Sequence, residues 1–303
     1  MSRLESKTVD GVIVGGGPAG LTCAIYLARY RRSVIVFDSM ESRTALIPET
    51  HNYPGFADGI AGPRLLAALT LQAKAYGVTI VEDRVTGLQL SGDRFVATCS
   101  QGDVTGERAV LASGLVDRSL PIPGLHEAID HGLVRYCPIC DGFEASDQRI
   151  GVIGSVDDAA SKALFLRTYS ERVTLLKLDA KPCSERHLRE LSEAGIQCPA
   201  AHVQGFRQQD RRMIASLSDG TLETFDVIYP VLGCEVRSDL AKHLGARHNE
   251  VGCLEVDAHQ RTSIAGLYGI GDVVSDLHQI AVATGHAAVA ATHIHNDLPR
   301  NFR

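Results

Sequence analysis

The stretch Val12-Ile13-Val14-Gly15-Gly16-Gly17-Pro18-Ala19-Gly20 decides the fold. A β-branched run over residues 9–14 predicts a strand that stops at the glycines. Residues 21–30 carry helix formers, and Ser33-Val34-Ile35-Val36-Phe37 predicts a second strand. Strand, glycine turn, helix and strand make the βαβ unit of a dinucleotide-binding fold. Gly15 permits the tight turn, Gly17 lets the backbone approach a pyrophosphate, and Gly20 lets helix and sheet pack closely. The helix opens at Pro18 and Ala19, so free N–H groups and the positive end of its dipole face the pyrophosphate. Asp38 ends the second strand, about 20 residues beyond the loop, where an acid bonds ribose hydroxyls. A bare glycine motif also occurs in ordinary turns, but here strand, helix, second strand and acid agree.

The pattern then restarts. Residues 108–112 predict a strand, and Ser113-Gly114 marks the exit from the first domain. Residues 149–153, 159–169 and 172–176 read as strand, helix and strand, and 225–232 as a later strand. From about Gly245 the chain resumes features of the first domain, including Leu267-Tyr268-Gly269-Ile270-Gly271-Asp272. The expected class is therefore α/β, with two Rossmann-like three-layer domains. The first is discontinuous, residues 1–114 and 244–303, and the second, residues 115–243, is inserted into it. Gly271 and Asp272 lie between an apolar run at 264–270 and a helix-like stretch at 279–291. An Asp there either holds a ribityl hydroxyl of a flavin or caps the helix.

A chain of 303 residues suits two domains, and 45% hydrophobic with 22% charged residues reads as globular. A net charge of −6 argues against nucleic-acid binding, which needs a basic face. No stretch reaches the ~18 apolar residues of a membrane span. Met1-Ser2-Arg3-Leu4-Glu5-Ser6-Lys7 lacks an apolar leader, so a cytoplasmic location is expected.

Cysteines stand at 23, 99, 137, 140, 183, 198, 234 and 253, and only Cys137 and Cys140 are close together. The scattered six read as buried thiols. No second Cys or His pair completes a zinc set, so no metal is expected. Cys137-Pro138-Ile139-Cys140 at a helix start brings two sulfurs within bridging reach and favours a thiolate. Asp141, directly after, is placed to exchange protons with a thiol. Half of a zinc site or two ordinary thiols are the alternatives from spacing alone.

Four segments together carry a family resemblance: Gly15-Gly16-Gly17-Pro18-Ala19-Gly20, Asn52-Tyr53-Pro54-Gly55-Phe56, Tyr136-Cys137-Pro138-Ile139-Cys140-Asp141-Gly142-Phe143 and Gly269-Ile270-Gly271-Asp272-Val273. In order and spacing the chain resembles the low-molecular-weight thioredoxin reductases over nearly its whole length. That resemblance implies FAD in the first domain, a pyridine nucleotide in the inserted one and a homodimer. It also implies a domain rotation that presents the dithiol alternately to flavin and to a protein substrate. By position, Cys140 matches the cysteine nearest the flavin, Cys137 the interchange thiol and Asp141 the acid/base. Asp272 matches the flavin-binding aspartate and Asn52 the asparagine near the isoalloxazine. Gln279 matches the glutamine beside the flavin; Gly114 and Ile280 join the expected cofactor contacts. The family's Arg before that glutamine is His278 here, and its Gly-Gly-Gln loop is replaced by Ser42-Arg43-Thr44-Ala45.

The second loop departs further. Family members that use NADPH keep Gly-x-Gly-x-x-Ala there, whereas this chain reads Gly154-Ser155-Val156-Asp157-Asp158-Ala159. The branched side chain of Val156 is expected to obstruct a pyrophosphate, and two acids at the helix start oppose phosphate. After residues 172–176 comes Lys177-Leu178-Asp179-Ala180-Lys181, without the paired arginines of a phosphate clamp. NADPH use is expected to be weak or absent, leaving NADH, a second FAD or nothing in the inserted domain. The chain thus resembles atypical family members that take electrons from ferredoxin or another donor. The expected activity is FAD-dependent exchange between the Cys137–Cys140 pair and a thioredoxin-like protein or a small disulfide or dithiol. Conventional NADPH-thioredoxin reductase activity, oxygen-dependent dithiol oxidation and a flavin-binding redox sensor stay open as alternatives.

Overall fold

Alternating side chains along one sheet organise the first unit. Val12 and Val14 face one core and Ile13 the other; Ile35 and Phe37 repeat the first choice, Val34 and Val36 the second. The parallel order is Thr79–Glu82, Val34–Asp38, Lys7–Val14 and Gly102–Leu111. The last strand pairs over its first half with Arg94–Cys99, part of an antiparallel hairpin with Gly87–Ser91. Over its second half it takes Leu267–Gly269 in parallel, so the C-terminal segment completes the first sheet. The computed structural model describes residues 7–181, 183–274 and 277–302; residues 1–6, on which the expected cytoplasmic location leans, lie outside them.

Helix Pro18–Arg29 covers one face together with Ile280–Asp297. The latter buries Ala283, Ala287, Ala290, Ala291 and Ile294, a stripe at helical spacing whose small side chains allow close packing on the first helix. The opposite face is covered by the hairpin and by the returning chain, where Val236, Ala241 and Ala246 share the first unit's core.

The inserted unit repeats this plan. Strand Ile150–Gly154 lies between Val173–Lys177 and Val227–Val231, all parallel. Helix Val156–Leu166 covers one face, and the antiparallel sheet Val203–Gln209, Arg212–Leu217 and Leu222–Phe225 packs towards the other. The strand expected at 225–232 is therefore two strands, broken at Asp226, which turns to bind Arg149 N through its carboxylate. The two crossings between units, Leu115–Asp117 and Cys234–Val236, pair antiparallel. This two-stranded strap is entered at Gly114 and Gly233, both at positive φ (67° and 76°) that glycine adopts without strain. Among the described residues no helix is long and apolar enough to cross a membrane.

Candidate active site

The first glycine loop forms a cradle that side chains would fill. Gly15 has φ 116°, and a Cβ there would lie 2.2 Å from the Ala112 carbonyl oxygen. On Gly20 a Cβ would meet the Gly15 carbonyl at 1.9 Å, the close helix–sheet approach the motif requires. Gly16 is equally constrained: its Cβ would fall 2.1 Å from the Asp38 carboxylate. Sequence reading left Gly16 without a role, although the third consecutive glycine was a signal. Helix Pro18–Arg29 begins from Gly17 with no side-chain cap, so its first-turn N–H groups face the cavity uncompensated.

That cavity has a volume of about 730 Å³. Gly15, Gly17, Pro18, Ala19, Asp38, Asn52 and Gly114 line it from the first half of the chain. Gly271, Asp272, Gln279 and Ile280 line it from the second, and the inserted unit brings Cys137, Cys140 and Asp141 to the same space. Gly20 alone among the expected residues lies beneath the lining, in the helix–sheet contact.

Asp272 sits in the 3-10 turn Gly271–Val273, whereas the following helix is capped at Gln279, so the helix-cap alternative for Asp272 falls. Its carboxylate accepts from Arg43 Nη1 at 3.2 Å, and Arg43 also holds Asp117 through Nε at 2.6 Å and Nη2 at 3.1 Å. Burial opposes the charge of Arg43, but Asp117 and Asp272 outweigh it and hold the guanidinium charged. Two residues earlier Glu41 binds Arg84 and Arg237. The loop that departs from the family pattern thus grips the strap at Asp117, and Glu41 just before it holds Arg237 just after the strap. The sequence marks this loop as different but carries no signal for the partners of Arg43, Asp117 and Asp272, which are 74 and 229 residues away in the chain.

Cys137 and Cys140 form a disulfide, with Cα atoms 5.3 Å apart. Cys137 caps the one-turn helix Pro138–Asp141, its sulfur accepting from Cys140 N at 3.2 Å. Gln279 Nε2 donates to Cys137 Sγ at 3.3 Å and Cys140 Sγ at 3.4 Å, while its Oε1 accepts from Asn52 Nδ2 at 2.9 Å. Asn52 Oδ1 in turn accepts from Thr50 Oγ1 at 2.9 Å, and Asn52 Nδ2 reaches Ile139 O at 3.3 Å. A polar chain in the first unit therefore holds the disulfide of the inserted unit over the cavity. The other six cysteines are free; burial pushes the Cys23 thiol up to about 12.

Asp141 is mostly enclosed, and burial lifts its carboxyl from 3.8 to about 6, with the Arg135 charge and the Tyr229 hydroxyl pulling the other way. Tyr229 Oη donates to Asp141 Oδ1 at 3.0 Å. A carboxyl titrating near neutrality beside a dithiol is suited to both giving and taking a proton. Tyr229 and Arg135 carried no sequence signal.

These features are those of a cofactor-linked dithiol, and a family model described as pyridine nucleotide-disulphide oxidoreductase matches residues 9–287. The chain belongs to that family. A thioredoxin reductase of Mycolicibacterium smegmatis is 32% identical over 95% of this chain and 96% of its own length. One from Streptomyces coelicolor is 31% identical over 92% and 90%. Among solved structures, the thioredoxin reductase of Streptococcus pyogenes MGAS5005 superposes with a TM-score of 0.88 at 26% identity, covering 96% and 98% of the two chains. A Lactococcus lactis thioredoxin reductase in the FR conformation is 29% identical over 95% and 98%, yet its TM-score is 0.62. The protein is a flavin-dependent disulfide oxidoreductase of the thioredoxin-reductase type, with FAD as its family's cofactor. The residues present fit that group: the uncapped helix start and glycine cradle suit a pyrophosphate, and the buried His278 Nε2 has no hydrogen-bond partner among the described residues.

The second loop of this oxidoreductase is built differently. Ser155 caps its helix, accepting from Asp158 N at 3.2 Å while its Oγ donates to Asp158 Oδ2 at 2.6 Å. Asp157 Oδ1 accepts from Ser184 N at 3.1 Å and pairs with His187 Nδ1 at 2.7 Å. The His187 bond and the Ser184 N–H keep the Asp157 carboxyl below its ordinary range. Val156 is 3% exposed and packs into the inserted unit's core. The expected obstruction by its side chain is thus not what the fold contains, because the first helical position turns Val156 inward. The acids and the serine face outward instead.

Proposed function

We propose that this oxidoreductase passes electrons from FAD in the first unit to the Cys137–Cys140 disulfide and on to the disulfide of a thioredoxin-like protein. We further propose that it works as a homodimer and that its donor is a ferredoxin-type or other carrier in place of NADPH. The observation that carries this reading is the contrast of the two loops around a dithiol held by Gln279. The glycine cradle leaves its helix N–H groups for a ligand, whereas Ser155 and Asp157 use their own chain. Gly15, Gly17, Pro18, Ala19 and Gly20 hold the pyrophosphate, Asp38 a ribose, and Asp272 the ribityl chain. Asn52, Gly114, Gln279 and Ile280 complete the contacts near the ring.

FAD, when bound in this cavity, would supply a two-electron reservoir for the dithiol that lines it. On reduction the S–S bond breaks, leaving a Cys140 thiolate and a Cys137 thiol, the latter protonated by Asp141. Asp141 then takes that proton back, and the Cys137 thiolate attacks one sulfur of the partner disulfide. A mixed disulfide forms and the partner's other sulfur leaves as a thiolate. Attack by Cys140 on Cys137 restores the internal disulfide and releases the partner's second thiolate, the two thiolates gaining their protons from solvent. Cys137 is half-buried against Gln279, so protein exchange requires the dithiol to leave this position. The lower TM-score against the FR structure, at slightly higher identity, supports a second arrangement of the two units.

The test is anaerobic mixing of holo-protein with NADPH, NADH, a small dithiol and reduced ferredoxin in turn, following flavin bleaching. Rapid bleaching by ferredoxin but not by micromolar NADPH is expected. Fast bleaching by NADPH overturns the donor assignment. Bleaching by the small dithiol with rapid reoxidation in air points instead to a dithiol oxidase. A Cys140→Ser protein that reduces partner disulfides normally refutes the dithiol itself.

A further inference from the structure

We infer that Tyr229 is the positioning residue for Asp141, holding the acid/base in one setting while the dithiol changes partners. This rests on the reading of Asp141 as the acid/base. Tyr229 lies in the strand Val227–Val231, its side chain fully buried, and its hydroxyl is shared between Asp141 Oδ1 at 3.0 Å and the Asp141 carbonyl at 3.2 Å. One phenol thus fixes the carboxylate relative to its own backbone. The same carbonyl accepts from Arg135 Nη1 at 2.8 Å, and Arg135 Nε is spent on the Gly132 carbonyl at 3.0 Å.

Among the described residues, the charged and titratable groups that act on the Asp141 carboxyl come from the inserted unit: Arg135 ahead of the dithiol, Glu144 in the following turn, and Tyr229 in the sheet. Tyr169, after helix Val156–Leu166, packs its ring edge against the adjoining Gly142, where a Cβ would lie 2.6 Å away. The dithiol's own tether, by contrast, is Gln279 and Asn52 of the first unit. When the inserted unit moves, the sulfurs leave Gln279 but Asp141 keeps Tyr229 and Arg135. Both proton transfers therefore use the same carboxyl in the same surroundings. Because the hydroxyl stabilises the ionised carboxylate against burial, its removal favours the protonated form.

The experiment titrates the Asp141 carboxyl in holo-protein by its protonated C=O infrared band, assigned by its loss in Asp141→Asn. The wild-type midpoint is expected near 6. In Tyr229→Phe the midpoint should rise by roughly one pH unit, about the worth of one hydrogen bond to a charge. The pH profile of dithiol–disulfide exchange should rise with it. In the Asp141→Asn background the same substitution should shift nothing. An unmoved midpoint in Tyr229→Phe overturns the proposal, as does an equal loss of rate at every pH that persists with Asn at 141. A midpoint that moves while the exchange profile stays put supports Tyr229 as the positioning residue and refutes Asp141 as the acid/base. Should Tyr229→Phe fail to fold, wild-type protein with fluorinated tyrosine, a stronger donor, should lower the midpoint; no change there overturns the proposal equally.

Discussion

Two turns of the same kind, each joining a buried parallel strand to a helix, differ in what satisfies the helix start. At Gly15–Gly20 the chain offers no side chain: the cap is Gly17, the first turn holds no acid, and Asp38 stands at the neighbouring strand end. At Gly154–Ala159 the chain serves itself, with Ser155 as cap, Asp157 and Asp158 in the first turn, and Asp157 tied to Ser184 and His187. Both are stable helix starts. The difference teaches that phosphate affinity is not a property of the βα turn. It is whatever the turn leaves unsatisfied.

The largest effect that breaks this comparison is expected from Gly16→Val. A Cβ at that position overlaps the Asp38 carboxylate, so either the loop or the strand end must shift. Flavin retention should fall by a factor of 100 or more, on the order of 3 kcal/mol of binding. Visible absorbance of the purified protein, set against its far-ultraviolet circular dichroism, reports loss of cofactor without loss of fold. Retained flavin at the wild-type level would show that the cradle is not the cofactor's seat.

An intermediate effect concerns the dithiol that faces the first loop. The Asp141 carboxyl is raised from 3.8 to about 6, so the folded protein binds a proton that the unfolded chain has already lost. The contribution of Asp141 to stability should therefore decline as pH rises from about 4 to about 6, by up to ~3 kcal/mol, and be level above it. Asp141→Asn should flatten that segment of the curve. Urea unfolding at pH 4, 5, 6 and 7 measures both, and parallel curves for the two proteins would remove the buried-carboxyl argument.

The smallest effect sharpens the second loop. Asp157→Asn removes one negative charge from an exposed helix start and loosens its bond to His187. On the proposed weak binding of NADPH to the inserted unit, its affinity should tighten by about fivefold at low salt and less at physiological ionic strength. Calorimetric titration at two salt concentrations checks this. Wild-type binding in the micromolar range would mean that Asp157 does not stand in the nucleotide's way.

Much of this architecture was legible because its signals are local. Alternation over residues 9–14 and 33–37, the glycine run and the Cys137–Cys140 spacing each report contacts within a few residues. The expected strands and helices at 149–153, 159–169 and 172–176 lie within about three residues of the observed Ile150–Gly154, Val156–Leu166 and Val173–Lys177. Failures arose where direction mattered. Val156 read as an obstacle because a sequence gives no side to a loop residue, and the fold placed it in the core. Asp272 read equally as a cap, until the helix was seen to start only after Gln279.

By itself, the sequence determined that two βαβ units bracket a dithiol, since strand periodicity, glycine turns and cysteine spacing follow from bonds between near neighbours. Tertiary structure alone decided that Gln279 and Asn52 hold the disulfide, that Arg43 joins Asp117 to Asp272, and that Tyr229 sets Asp141. Each of those contacts joins residues ~75 to ~230 positions apart, and such pairs meet only because two sheets and a strap bring them together. The titration of a carboxyl, likewise, depends on what surrounds it rather than on what precedes it in the chain.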